Sequence, residues 1–510
     1  MPHWKAIERE KELYYKNIAM RKHKIFIGFL TGSFLLLQSC STQKKLSRQP
    51  DDILLRDSAL ATAHIGISIY DPATDKYLYN YQADKYFVPA SNTKIPTCYL
   101  GMKYLGDSLT GLLYGIPEET RFKDKIVAIR PTGDPTFFHL DFKQQPVFDF
   151  LRTTFKEKQK TPATFYNDGS NVERWGNGWS WNDYQSYYMA ERNTFPIFGN
   201  VATVQMLAVA NREVSDTLRP YTSAVKLFET GNAWLNRMVN NTTDPPAEWT
   251  SDSLPKISLK RDISSNKFNT GSSSTSFATT EIPFVTNYTN TTTAILEDTL
   301  HIPFQYYLEK SNVSQKFDLL YKPYTSRESV TIKQWHPIHS QPTDSMLQRM
   351  MYRSDNFYAE QTLLMSSFAL LDKMDHRKMI DTILKTDLKE LPQKPAWADG
   401  SGLSRYNLFT PQDFVHILQK MKTEFGMERI KGIFPTGGKG TLSSYYNDAQ
   451  EPYLFAKTGT LSGVVALSGF IYTKSGKELI FSVLVNNHQT SAVHVRRTVE
   501  TFLKEIRNNY

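Results

Sequence analysis

An α+β multidomain chain is predicted, with an antiparallel sheet flanked by helices and a long insertion in its middle. Three observations carry this. At 510 residues the chain exceeds one ordinary domain. Alternating apolar and polar runs near both ends read as β-hairpins with helices beside them. Between about residues 110 and 325 the texture changes to Thr, Asn and aromatics with only short strand-like runs. With 40% hydrophobic and 13% aromatic residues the chain can bury large cores, which excludes wholesale disorder.

The first 39 residues read as a targeting segment. "MRKHK" (Met20 to Lys24) is a basic stretch, and Ile25 to Leu37 is an apolar run of 13 residues. That is short of the about 20 needed to span a bilayer. It ends in "LQSC", which resembles a bacterial lipobox with Cys40 as the acylated residue. The polar stretch before Met20 is long for such a signal, so Met20 is the expected start. Residues 40–54 then read as a tether.

The net charge is +9, part of it in this segment, and the mild surplus falls short of a nucleic-acid-binding stripe. Cys40 and Cys98 are the only cysteines. With Cys40 lipidated no internal disulfide can form, and Cys98 reads as a small buried hydrophobe.

Downstream, "HIGISIYDPATDKYLYNYQ" alternates on both sides of Pro72 to Asp75, a hairpin pattern. "GVVALSGFIYTKSGKELIFSVLVNN" repeats it near the C-terminus, and "AVHVRRTVETFLKEI" has helical period. One sheet assembled from both termini is therefore expected. Ser264 to Thr293 is almost a Ser/Thr/Asn tract and is expected to include exposed loop, and helical signals return at Met346.

Ser-x-x-Lys occurs five times, from Ser41, Ser91, Ser223, Ser253 and Ser264. Only Ser91 follows a predicted hairpin and opens an apolar helical run, "IPTCYLGMKYL". At such a junction backbone N–H groups are unpaired and the helix dipole is positive. Two further motifs complete a set: "SDN" at Ser354 to Asn356, within a helical segment, and "KTGT" at Lys457 to Thr460, opening the C-terminal strand. Ser-x-x-Lys, Ser-x-Asn and Lys-Thr-Gly in that order mark penicillin-binding proteins and class A β-lactamases.

"PASNTK", "SDNFYAEQTLL", "DGSGLSRYNLFTP", "GGKGTL" and "KTGTLSGV", with "GDPTF" and "GWSWNDYQSYY" in the middle, resemble the D-Ala-D-Ala carboxypeptidase/endopeptidase family, the class C low-molecular-mass penicillin-binding proteins. The resemblance covers roughly residues 55–505. It implies a penicillin-binding-protein/β-lactamase-like transpeptidase core from residues 55–100 and 325–510, with two smaller inserted mainly-β domains. One comprises 101–125 and 200–324, and the second, 126–199, is nested in it.

The resemblance also implies roles. Ser91 is the nucleophile on the carbonyl between two D-alanines, and Lys94 the base. To be neutral, Lys94 must come down about three units from about 10.4, helped by a desolvated cleft and by Lys457. Ser354 passes a proton to the leaving amine, while Asn356 hydrogen-bonds Lys94 and substrate. Lys457, Thr458 and Thr460 hold the terminal carboxylate, and Gly459 allows close approach of the strand. The backbone N–H groups of Ser91 and Thr460 form the oxyanion hole.

Asp183 and Arg405 are expected to read a charged stem-peptide side chain. Peptidoglycan peptides, β-lactams as covalent inhibitors and a membrane reached through lipid are the implied partners. No cofactor, metal or nucleic acid is expected, and the oligomeric state is left open. His336 and His339 lack a ligand cluster; Trp179 and Trp181 are expected in an inserted core; Asp355 and Glu360 are expected as helix-surface or capping carboxylates. The alternatives are a β-lactamase or esterase on the same scaffold, or a silent peptidoglycan-binding lipoprotein. Pro96, two residues past Lys94, puts the helix there in question.

Overall fold

The computed structural model describes residues 51–116, 118, 127–157, 163–167, 170, 172–210, 224–230, 232–240, 257–272, 278–287, 289–301, 304–308 and 332–510. The expected signal segment and Cys40 lie outside them. The expected tether overlaps a helical turn over Asp51–Leu55, whose Leu54 is fully buried, so packed structure starts earlier than the 40–54 boundary.

β1 (His64–Asp71) and β2 (Lys76–Tyr81) form the N-terminal hairpin, turning through residues 72–75. β13 (Leu454–Leu461), β14 (Val464–Tyr472) and β15 (Glu478–Asn486) come from the other end of the chain. Together they make one five-stranded sheet in the order β13-β14-β15-β1-β2, antiparallel throughout, as the two hairpin patterns predict.

Both faces of this sheet are covered, so the strands read as near-continuous apolar runs. Successive side chains point to opposite faces. Ile65, Ile67, Ile69, Leu479, Phe481, Val483 and Val485 pack with Val495, Val499, Phe502 and Leu503 of the C-terminal helix Ala492–Asn509. The alternate residues Tyr70, Ala466, Phe470, Ile480 and Leu484 meet the helices Lys94–Tyr104, Thr343–Arg353, Asn356–Leu371 and Pro411–Ile433.

A second five-stranded sheet has the order β11-β5-β4-β3-β12, from β3 (Ser108–Gly115), β4 (Val127–Pro131), β5 (Ala163–Asn167), β11 (Phe304–Leu308) and β12 (His336–Pro342). β5 pairs parallel with both β4 and β11. Strands assigned to a nested unit at 126–199 therefore share a sheet with strands from 101–125, 200–324 and the core segment. Hydrogen bonding of distant short strands, absent from local patterning, crosses those boundaries. β6 (Val201–Ala210), β7 (Ala224–Glu229) and β10 (Thr279–Pro283) form a third sheet, and β8 (Ile257–Arg261) and β9 (Phe268–Ser272) a ribbon.

His336 and His339 sit on β12 beside Tyr114 and Ser108 of β3. Among the described residues no group of three or more His, Cys, Asp or Glu could hold a metal ion, and no helix is long and apolar enough to cross a membrane.

Candidate active site

The turn that carries Ser91 is pinned from the sheet side. Asn486, at the end of β15, accepts from the Val88 N–H at 2.8 Å and donates to the Val88 carbonyl at 3.0 Å. Ala90, in a left-handed conformation (φ 46°), then turns the chain into a 3-10 segment, Ala90–Thr93. Asn92 donates to Ser468 Oγ of β14 at 2.8 Å. The α-helix begins at Lys94 and runs unbroken to Tyr104. Pro96 is its third residue, where a helix has no internal partner for the N–H, so the proline neither kinks nor shortens it. Cys98 lies on this helix, fully buried, with its thiol pKa pushed up by burial.

Lys94 is completely buried, and its three donor positions are all matched. Nζ lies 3.0 Å from Ser91 Oγ, 2.6 Å from Asn356 Oδ1 and 2.7 Å from the Ser401 carbonyl. Asn356 Nδ2 donates to the Tyr188 carbonyl at 3.0 Å, which fixes the amide with its oxygen toward Lys94. Burial brings the Lys94 pKa down to about 8, against the pull of Asp399, Asp355 and Glu360. Once neutral, the amine still has two N–H groups for Asn356 and Ser401. Its lone pair then points at Ser91.

Ser354 and Lys457 form the opposite pair, Nζ to Oγ at 2.8 Å. Ser354 does not lie within a helix, as its pattern predicted. It is the left-handed corner (φ 59°) between the helices Thr343–Arg353 and Asn356–Leu371. Asp355 is the N-cap of the second helix and accepts from the Tyr358 N–H at 3.0 Å. The reversal at Ser354 turns its hydroxyl out of the helix path, at a conformational cost of about 1–2 kcal/mol.

"KTGT" likewise does not open the strand that follows it. It ends a strand of its own, β13, at the edge of the sheet. Lys457 is fully buried, and burial together with Lys94 pushes its pKa well below the usual lysine value. Nζ also donates to the Thr458 carbonyl at 2.7 Å, so that carbonyl points away from the β14 ladder. Thr460, two residues on, shares its orientation and turns its N–H to the open edge. A Cβ at Gly459 would stand 2.7 Å from the Pro89 carbonyl and 3.1 Å from the Ser91 nitrogen. Only glycine lets β13 pass this close to the Ser91 turn. Thr458 Oγ1 pairs with Thr441 Oγ1 of the "GGKGTL" loop at 2.8 Å.

The loop Asp399–Ser404 opens the "DGSGLSRYNLFTP" motif, but the sequence assigned no role to its backbone, which the structure brings to Lys94. Asp399, fully buried, accepts from Gly402 N–H (2.8 Å), Ser404 N–H (2.7 Å), Asn407 Nδ2 (2.8 Å) and Trp179 Nε1 (2.8 Å). Glu360 accepts from the Ser401 N–H at 2.7 Å and faces Arg192 at 3.5 Å. It is 1% exposed, with its pKa raised by burial, and so is no helix-surface carboxylate. These two acids fix the carbonyl that Lys94 needs. An Asp–Gly pair followed closely by polar turn residues was the available signal.

Trp179 is thus a tie between the inserted segment and this loop, and Trp181 is 67% exposed, so neither fills an inserted core. Arg405 donates to the Ser462 carbonyl at 2.6 Å, in the turn between β13 and β14. Asp183 lies half-buried in the turn Trp181–Asp183 of the same inserted segment. Gly178 of that segment approaches Ser404 and Tyr406 closely, which brings it up to the loop that carries Arg405. Among the described residues the Asp183 carboxylate has no side-chain partner.

A serine beside a buried lysine, faced by a second Ser–Lys pair on the edge of a helix-flanked antiparallel sheet, defines the penicillin-binding-protein/β-lactamase-like class. The chain belongs to the D-Ala-D-Ala carboxypeptidase 3 (S13) family, whose model matches residues 46–248 and 307–506. D-alanyl-D-alanine carboxypeptidase DacB of Haemophilus influenzae is 27% identical over 178 residues, 34% of this chain and 37% of that protein. Carboxypeptidase DacB of Mycolicibacterium smegmatis is 31% identical over 161 residues, 29% of this chain and 35% of that protein. The chain thus matches little more than a third of the length of these curated relatives. The crystal structure of penicillin binding protein 4 (dacB) from Haemophilus influenzae superposes with a TM-score of 0.63 at 18% identity, covering 90% of this chain and 99% of that one. At that identity the likeness speaks for the fold.

Proposed function

We propose that the protein is a serine-type D,D-peptidase that hydrolyses D-Ala-D-Ala termini or D,D-cross-links of peptidoglycan peptides through an acyl-enzyme on Ser91. The observation that carries this is the contact of Ser91 Oγ with a buried lysine, 3.0 Å away, whose pKa burial brings down to about 8. Membership of the S13 family supports it.

Neutral Lys94 takes the Ser91 proton as Oγ bonds to the carbonyl carbon. The Ser91 and Thr460 N–H groups receive the oxyanion. As the C–N bond breaks, Ser354 delivers a proton to the leaving amine and is resupplied with the proton that Lys94 took, which leaves Lys94 neutral again. Water then cleaves the ester, with Lys94 again as base. Lys457, Thr458 and Thr460 receive the carboxylate that follows the scissile amide, and Asp183 and Arg405 face the other side chains of the peptide.

A β-lactam, whose ring amide mimics the scissile bond, acylates the same serine and remains attached. Labelled penicillin is expected on Ser91, with D-alanine released from a pentapeptide by the unlabelled protein. No adduct on Ser91 would sink the assignment, and rapid drug turnover without D-alanine release would point to a β-lactamase. We also propose anchoring at the periplasmic side of a bacterial envelope through lipid on Cys40. The basic and apolar stretches before "LQSC" support this. Labelled fatty acid should enter the wild-type chain and not Cys40→Ser.

A further inference from the structure

Side chains along β13 alternate. Lys457 and Gly459 face the nucleophile turn, and Thr458 and Thr460 face the other way. On that second side stands the C-terminal helix. Its Arg496 reaches back to the strand, and Nη2 donates to Thr460 Oγ1 at 2.5 Å. Arg496 also lines a small apolar cavity together with Thr458, Leu442 and Tyr445, so both threonines and the guanidinium converge on one end of the strand.

The charged groups nearby on that helix are spoken for. His494 pairs with Asp57 at 2.7 Å, and Arg497 with Glu500 at 2.6 Å. Among the described residues Arg496 has no carboxylate partner. A guanidinium carries five N–H donors in a planar fork that suits a carboxylate. Here one donor is used on a hydroxyl, and the charge is left open beside an exposed threonine.

We propose that Arg496 determines specificity for substrates with a free carboxylate on the carbon after the scissile amide. Because Thr460 Oγ1 accepts from Arg496, its own proton is turned away from the helix and offered to that carboxylate. The guanidinium adds a positive charge at the same place. The proposal rests on the D,D-peptidase assignment and extends it to a residue outside the three motifs.

Two acyl-D-Ala-D-Ala peptides, one with a free C-terminal carboxylate and one with a carboxamide, test it on the full chain. Arg496→Ala is expected to lower the carboxylate-to-carboxamide ratio of kcat/KM about tenfold, mostly through KM. Arg496→Lys should restore part of the ratio, since it keeps charge without the fork. An unchanged ratio, or equal loss on both peptides, overturns the assignment.

Equilibrium binding of both peptides to Ser91→Ala, with and without Arg496→Ala, separates it from the activity. If the wild-type chain releases no D-alanine and takes no penicillin, the peptidase assignment fails. Carboxylate-selective binding that depends on Arg496 would then still support the role of Arg496. Binding without that preference would overturn it.

Discussion

Lys94 can serve as a base only in the fraction that is neutral, so acylation of Ser91 should rise tenfold per pH unit and level off near pH 8, the value to which burial brings the amine. Asn356→Asp tests whether this group sets the profile. It is nearly isosteric and places a negative charge where Oδ1 now lies, 2.6 Å from Nζ. Two unit charges at that distance attract by about 6 kcal/mol at an effective dielectric of about 20. Burying the new carboxylate opposes this, and a neighbouring opposite charge typically favours the ionised form by about 1–3 units. The midpoint should therefore move from about 8 to about 10. At pH 7 the neutral fraction, and with it the acylation rate, falls about 100-fold. The loss should shrink as the pH is raised, until the rate at pH 10 lies within about tenfold of the wild-type plateau. Stopped-flow labelling with a fluorescent penicillin from pH 6 to 10.5 gives both curves. A uniform loss at every pH, or an unmoved midpoint, would refute Lys94 as the titrating base.

The same amine sets a stability trend. Its folded pKa of about 8 lies below the unfolded value of about 10.4, so the unfolded chain binds more protons between them and stability rises with pH across that window. Lys94→Met removes the trend, and the chemical-denaturation free energy of the wild type relative to the variant should rise by about 3 kcal/mol from pH 7 to 10.5. Ser354→Gly relieves a left-handed serine, so thermal melts should show a gain of up to about 1 kcal/mol while penicillin labelling slows. Gly459→Ala sets a methyl against the Pro89 carbonyl and spreads the oxyanion donors, which should cost about 10²–10³ in acylation rate. Trp179→Phe deletes a donor to a buried carboxylate and should cost about 1.5–3 kcal/mol by urea titration.

The elements legible in the sequence were those whose signal is local. The 64–81 hairpin shows period two around a Pro-Ala-Thr-Asp turn, and β14, β15 and the last helix are equally self-contained. Ser91, Lys94, Ser354, Asn356 and Lys457 carried motif spacings, and the fold brings them together. The Ser354 corner was not legible, because helical residues continue on both sides and nothing but one backbone angle breaks them. Nor was the second sheet, in which three five-residue strands from distant segments pair in parallel, leaving no local record. Asp399 and Glu360 look like surface acids in a one-dimensional pattern. Their role exists only once Trp179, Arg192 and the 399–404 backbone surround them.

The central pairing of the catalytic sheet joins His64 to Asn486, so β1 finds its inner neighbour only after nearly the whole chain exists. Contacts this distant in sequence form late and slowly, since a very long loop must close first. Asn486, the residue that clamps Val88 ahead of Ser91, belongs to that last-made strand. A growing chain therefore carries Ser91 and Lys94 before the Asn486 clamp, the β13 edge and Lys457 are in place. On the proposed peptidase reading, Ser91 and Lys94 meet Ser354 and Lys457 only once the polypeptide is complete, so an unfinished chain carries no assembled site.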